Sequence, residues 1–170
     1  MRKTLILLHL MGVAGFFGSA LGHVVASLTV PWGDEPLAVL TARGAILDAT
    51  ALVTLPGLGL AVATGVALAA LAALRRTGPR PAPWLALHGG LGLLILANAL
   101  LLVVPAGQVM AAEAARLGGP AFDAVAYLDA LKVEAVAGGL NLAAAVATAA
   151  LAVAKPAWRR YGAGCPSTAR

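Results

Sequence analysis

The sequence predicts an all-α protein, a single integral membrane four-helix bundle running up-down-up-down with both termini on the cytoplasmic side. Three observations predict it. Of 170 residues, 61% are hydrophobic and 11% charged, for a mean hydropathy of +0.91, whereas a soluble domain carries roughly a quarter charged residues. Four apolar runs follow one another, each beyond the ~20 residues that cross a hydrocarbon core about 30 Å thick. The charges gather in the short breaks between those runs. Backbone groups in lipid must be paired within their own segment, so the runs are helices and not open strands.

The first run extends from about Thr4 to Leu28 and ends at Pro31-Trp32-Gly33-Asp34. Its beginning has the form of a signal peptide: Arg2 and Lys3, an apolar stretch, then Gly18-Ser19-Ala20 as a cleavage site. We expect it instead to remain as the first helix. The second run, from about Ala45 to Leu74, is closed by Arg75-Arg76, and the third, from Trp84 to Val104, is stopped by Pro105 and Gly107. Gln108 to Leu117 suits a short amphipathic helix broken by Gly118-Gly119. Pro120 then suits the first turn of a fourth helix that begins near Ala121 and protrudes before entering lipid. That helix is clearest from Val133 to Ala154 and ends at Lys155-Pro156. The expected domain covers residues 1–160, with helices at about 4–28, 45–74, 84–104 and 121–154, followed by a polar tail over 161–170.

Charge gives the direction. Nine of the twelve basic residues (Arg2, Lys3, Arg75, Arg76, Arg80, Lys155, Arg159, Arg160 and Arg170) fall on one side of this topology. Arg43, Arg116 and Lys132 fall on the other, with all seven acids: Asp34, Glu35, Asp48, Glu113, Asp123, Asp129 and Glu134. The positive-inside rule makes the first side cytoplasmic, as in a bacterial-type inner membrane. The net charge of +5 is divided among short clusters and forms no single basic face, which argues against nucleic acid as a partner. Cys165 is the only cysteine, so an internal disulfide and a thiolate metal cluster are both ruled out.

The three histidines all lie inside or at the edge of a span, where ionisable groups are costly and mark function by default. His9 follows Lys3 by six residues and His88 follows Trp84 by four, so both lie within about two turns of the same boundary. The first and third helices run in one direction and are diagonal across an up-down-up-down bundle. Two imidazoles at one depth on diagonal helices suit the two faces of a flat macrocycle, and axial histidines commonly hold haem iron. The expected cofactor is one haem b, with His9 and His88 as axial ligands to the iron. Gly12 and Gly92, with Gly89 and Gly90, would admit the ring, and Arg2 would pair with its propionates. The plainer alternative is that the histidines are interhelical hydrogen-bond partners and the glycines close-packing residues.

His23 follows His9 by fourteen residues, about 21 Å along the helix and near the same face. Leu102 stands at the matching place beyond His88, so a second bis-histidine haem is excluded within one chain. His23 is read first as a satisfied structural histidine; the alternative is an outer polar site with Asp48, Lys132 or Glu134, in contact with quinone, protons or a metal. Asn98 and Asn141, each mid-span, are expected to bond between helices.

With these positions in view, the chain resembles a group of small membrane proteins: the copper-resistance CopD-like proteins, the membrane protoporphyrinogen oxidase HemJ, and related four-helix integral membrane proteins. Leu8-His9 with the stretch through Phe16-Phe17-Gly18 resembles their first helix. Asp48 to Gly65, with Thr54-Leu55-Pro56-Gly57 and Thr64-Gly65, resembles their second, and Trp84 to His88 the start of their third. The resemblance implies haem binding at His9. At the place of His88, HemJ carries a lysine tied to protoporphyrinogen oxidation, so that activity is not implied here.

The function read from the residues is therefore a membrane b-type haem protein that transfers electrons within the bilayer. The residues leave open whether it is an enzyme. Two alternatives remain. One is an accessory subunit of a larger membrane complex, or a homo-oligomer, packed through small-residue rows such as Gly15, Gly18 and Gly22 or Gly57 and Ala61. The other is a copper- or proton-handling protein without haem. No G-x-S-x-G, H-E-x-x-H or phosphate-loop motif is present.

Overall fold

A computed structural model of the chain describes residues 1–29, 36–74 and 83–154. The stretch Pro31–Asp34, the basic residues Arg75, Arg76 and Arg80, and everything from Lys155 through Cys165 to the end lie outside the described residues. Four helices make up the bundle: α1 (Arg2–Thr29), α2 (Pro36–Leu74), α3 (Pro83–Ala114) and α4 (Ala124–Ala154). All four are long and apolar enough to cross a membrane. The chain is an all-α, multi-pass membrane protein.

Large apolar side chains cover its outside. Leu52, Leu101, Leu140 and Val153 are each more than 60% exposed, which is tolerable only where lipid is the solvent. The interior is correspondingly small. Phe16, Leu58, Ile95 and Ala99 form a mid-bundle core, and nearby Asn98 Nδ2 donates to Asn141 Oδ1 at 2.7 Å and to the Ala137 carbonyl at 2.8 Å. The two mid-span asparagines thus bond between α3 and α4, as expected from their positions.

Helices α2 and α3 are longer than their apolar runs suggest, at 39 and 32 residues. The second helix starts at Pro36 rather than near Ala45 because proline suits a first turn, where its missing N–H is not needed. The third does not stop at Pro105. It passes through to Ala114, because a π turn at Ala99–Val103 immediately precedes the proline, with the Val104 N–H bonding back to the Ala99 carbonyl. The same device recurs in α2, where a π turn at Thr50–Thr54 precedes Pro56 and Leu55 N–H bonds to the Thr50 carbonyl. In both helices the wider turn accommodates a residue that cannot donate to the ladder. The separate amphipathic helix expected over Gln108–Leu117 is therefore the tail of α3.

That tail, the beginning of α2 and the first turns of α4 pack together beyond the mid-bundle core, around Val39, Ala106, Met110, Ala114, Tyr127 and Ala130. Gly118, at φ 84°, reverses the chain after α3, a backbone setting that glycine adopts without strain. The final helix begins at Ala124, three residues after the expected Ala121. Its cap is Asp123, whose Oδ1 accepts from the N–H groups of Val125 and Ala126 at 3.0 Å each. Glu113 clips the loop shut: its carboxylate accepts from Arg116 at 2.6 Å and from Asp123 N–H at 2.9 Å.

Helix α1 lies against the second half of α2, and glycines set the distance. A Cβ on Gly12 would stand 2.6 Å from the Ala61 nitrogen and 2.7 Å from the Gly57 carbonyl oxygen, and one on Gly57 would meet the Phe16 nitrogen at 2.8 Å. The obstacles are backbone atoms, which cannot swing aside. The row Gly57–Ala61, read from the sequence as a contact for another subunit, is thus occupied by the chain's own first helix. Gly12→Val is expected to destabilise the fold by about 3 kcal/mol or more, through forced separation of α1 from α2. Reversible unfolding in detergent checks it: an unchanged midpoint would mean that the two backbones do not meet.

Candidate functional site

The bundle brings His9 and His88 together. His9 lies in the third turn of α1 and His88 in the second turn of α3. Their rings are 6.3 Å apart between centroids and tilted by 47°. The expectation of equal depth on diagonal helices matches this placement. Both imidazoles are half-buried.

Each ring is held by one nitrogen. His9 Nδ1 is 2.8 Å from the Ala61 carbonyl oxygen on α2, and His88 Nδ1 is 3.1 Å from the Thr148 carbonyl oxygen on α4. A carbonyl only accepts, so Nδ1 carries the proton in both rings. His9 Nδ1 also lies 3.2 Å from Thr64 Oγ1, whose own hydrogen is directed to the Leu60 carbonyl at 2.5 Å. With Nδ1 donating, Nε2 is the nitrogen left to act as a ligand when the ring is neutral. This is the usual state of a metal-binding histidine, with the second nitrogen fixed by a backbone carbonyl.

The glycines around the pair divide into two kinds. Gly65 sits under His9: a Cβ there would come 3.3 Å from the imidazole Cε1. Gly89, Gly90 and Gly92 face open space, with no heavy atom within 4 Å of an added Cβ. Gly12 instead lies on the face of α1 that meets α2. Arg2 is exposed in the first turn of α1.

Fourteen residues further along α1, the outer polar site differs in membership from the one expected. His23 and Glu134 do line one pocket, together with Arg43 and Thr50. Asp48 is exposed and absent from the lining, because its place on α2 turns it outward. Lys132 is also exposed and pairs with Asp129 at 2.9 Å. The residue at the centre is Arg43, only 2% exposed. Its Nη1 meets Glu134 Oε2 at 3.2 Å, its Nε donates to Tyr127 Oη at 3.1 Å, and its guanidinium lies 5.7 Å from the Tyr127 ring centre. Sequence reasoning counted Arg43 among loop charges because α2 was started too late. Pro36 followed by Leu-Ala-Val-Leu was the available signal that the helix already included it.

Among the described residues no cluster of three or more histidine, cysteine, aspartate or glutamate side chains is arranged to hold a bare metal ion. No protein-family model, curated protein or solved structure matches this chain.

Proposed function

We propose that the protein is a membrane b-type haem protein, holding one haem between α1 and α3 with His9 and His88 as axial ligands and moving electrons within the bilayer. One observation carries the reading: two histidines on different helices stand 6.3 Å apart, each with Nδ1 on a backbone carbonyl and, among the described residues, no hydrogen bond at Nε2. Two imidazoles that shared one iron would stand about 6 Å apart between ring centres, close to the observed separation. The resemblance of the His9, Pro56 and His88 stretches to the CopD-like and HemJ-like proteins adds support.

Haem held by His9 and His88 would supply a one-electron couple. The chain's own residues orient and tune. Ala61 and Thr148 carbonyls fix the two imidazoles, and their hydrogen bonds raise the basicity of Nε2. With nine of the twelve basic residues on the side of the termini, the reading places both termini, and the histidine pair near them, toward the cytoplasm. Arg2, exposed in the first turn of α1, would pair with haem propionates. A quinone or another membrane subunit would exchange the electron.

The direct test is an absorption spectrum of the full chain purified from cells supplied with ample haem. A Soret band with low-spin features on reduction is expected; a colourless protein rejects the reading. Gly65→Val provides a finer check. Its methyl groups would displace His9 from the Ala61 carbonyl and weaken haem binding by about 10-fold, as loss of an outer hydrogen bond typically does. Titration at the Soret band measures this, and an unaltered affinity would mean that Gly65 does not position His9.

A further inference from the structure

Both π turns border one recess. Thr50 begins the wide turn of α2 and Val103 ends that of α3, and the two residues line the same pocket, with Arg43 and Glu134. Turns of this kind are frequent at functional sites. The free volume is about 20 Å³, room for one oxygen-sized group. Leu47, Val103 and Val104 on its walls are only half-buried, so the recess reaches the lipid-facing outside of the bundle between apolar side chains.

A buried cation stands at its inner end. Arg43 is 2% exposed, and its Nη2 has no hydrogen-bond partner among the described residues. The rest of the guanidinium is engaged, Nε by Tyr127 Oη at 3.1 Å and Nη1 by Glu134 Oε2 at 3.2 Å. Nη2 is therefore the donor that Arg43 has to offer a ligand, and a buried donor without a partner is costly enough to favour one. Charge narrows the choice. Glu134 already balances Arg43, so a phosphate or carboxylate would place a second negative charge beside that carboxylate in a site of low dielectric. A neutral acceptor meets no such repulsion. The Thr50 hydroxyl adds no competing donor, because its hydrogen goes to the Ile46 carbonyl at 2.8 Å. A charged donor at the bottom of a shallow, mostly apolar recess suits a carbonyl oxygen on an apolar body.

We propose that this recess binds the head of a membrane quinone, with one carbonyl oxygen accepting from Nη2–H of Arg43 and the ring seated against Leu47, Val103 and Val104. The choice of a quinone among neutral carbonyl compounds rests on the electron-transfer reading above; the carbonyl site itself does not. Phospholipid esters carry the same acceptor, and the test separates the two.

The full chain, labelled with ¹⁵N at arginine, is placed in bilayers of ether-linked phospholipid, which carry no ester carbonyl. Decylubiquinone labelled with ¹³C at its carbonyls is then added. Saturable binding is expected, and solid-state NMR should show one quinone carbonyl carbon in contact with the Arg43 side-chain nitrogens. The Arg43 signal is the one missing from the double variant Arg43→Met with Glu134→Leu, which keeps the charge balance. That variant should bind the quinone at least about 10-fold more weakly, as loss of a charged donor does. A second variant leaves the ion pair in place. A Cβ on Gly107 would lie 3.8 Å from Leu47 Cδ1 and 4.0 Å from Glu134 Oε1, ordinary contact distances, so Gly107→Leu fits the backbone while its longer side chain fills the recess and should block binding. Absence of saturable binding, or affinity unaltered in both variants, overturns the proposal. So does an Arg43 signal that moves when ester lipid replaces ether lipid without quinone, which would assign the site to lipid carbonyls. A Soret band without quinone binding overturns this proposal alone; quinone binding by a colourless protein overturns the haem reading alone.

Discussion

In the haem-loaded chain, His88→Ala is expected to lower haem affinity by at least about 100-fold and to convert any residual spectrum from low-spin to high-spin. Outer-shell changes alone cost about 10- to 100-fold at such sites, and this variant removes the ligand itself together with its bond to the Thr148 carbonyl, 3.1 Å away. His9→Ala should match it, since the two imidazoles come from diagonal helices and neither has a substitute nearby. A titration followed at the Soret band measures the affinity. The informative companion is His88→Met: a thioether still ligates iron, so haem should stay bound while the reduction potential rises. A structural histidine would behave otherwise. If His9 and His88 only tied α1 to α2 and α3 to α4, His88→Ala would lower stability and leave the spectrum unaltered, and the haem reading would fall.

The second large effect is on stability. Glu134→Ala is expected to destabilise the bundle by about 3–5 kcal/mol, the cost of leaving one member of a buried ion pair uncompensated. Arg43 is 2% exposed, and after the substitution its guanidinium would retain only the Tyr127 hydroxyl at 3.1 Å and the face of that ring. The sign reverses when both charges leave. Glu134→Leu combined with Arg43→Met removes two desolvated charges and fills the space with apolar atoms, a replacement that is often neutral or stabilising. The double variant should therefore recover most of the loss. Denaturant unfolding in detergent micelles, arranged as a double-mutant cycle, reads the coupling. A double variant as unstable as Glu134→Ala would assign the effect to packing around Tyr127 and Met110 instead.

The membrane class and the four spans were legible because lipid imposes a length and a composition that local sequence carries openly. The histidine pair was legible for a related reason: depth along a helix is a count of residues from a boundary, and His9 and His88 are counted from the same one. Helix ends were less so. Pro105 ordinarily ends a helix, and the sequence holds no sign that a wider turn over Ala99–Val103 precedes it. Asp123 was available as a cap, yet Pro120 drew the start of α4 forward. The partners of the histidines were out of reach, since the Ala61 and Thr148 carbonyls belong to every residue type alike. Arg43 was hidden by its sign and neighbourhood, which match a solvent-facing loop until Tyr127 and Glu134 are folded against it.

The π turn at Thr50–Thr54 also decides which neighbour each end of α2 addresses. Arg43 and Ala61 are eighteen positions apart, about five full turns of an ordinary α-helix, so an unbroken helix would present both to one neighbour. They face different ones: Arg43 reaches Tyr127 and Glu134 on α4, while Ala61 receives His9 from α1. The single extra residue in the wide turn rotates one half against the other by about 100°. The histidine end and the arginine end are thus two independently aimed halves joined by a phase slip. Deleting Ala51 or Leu52 would leave the chemistry of the histidine and arginine ends intact and misdirect one whole half, a change of orientation that no substitution reproduces.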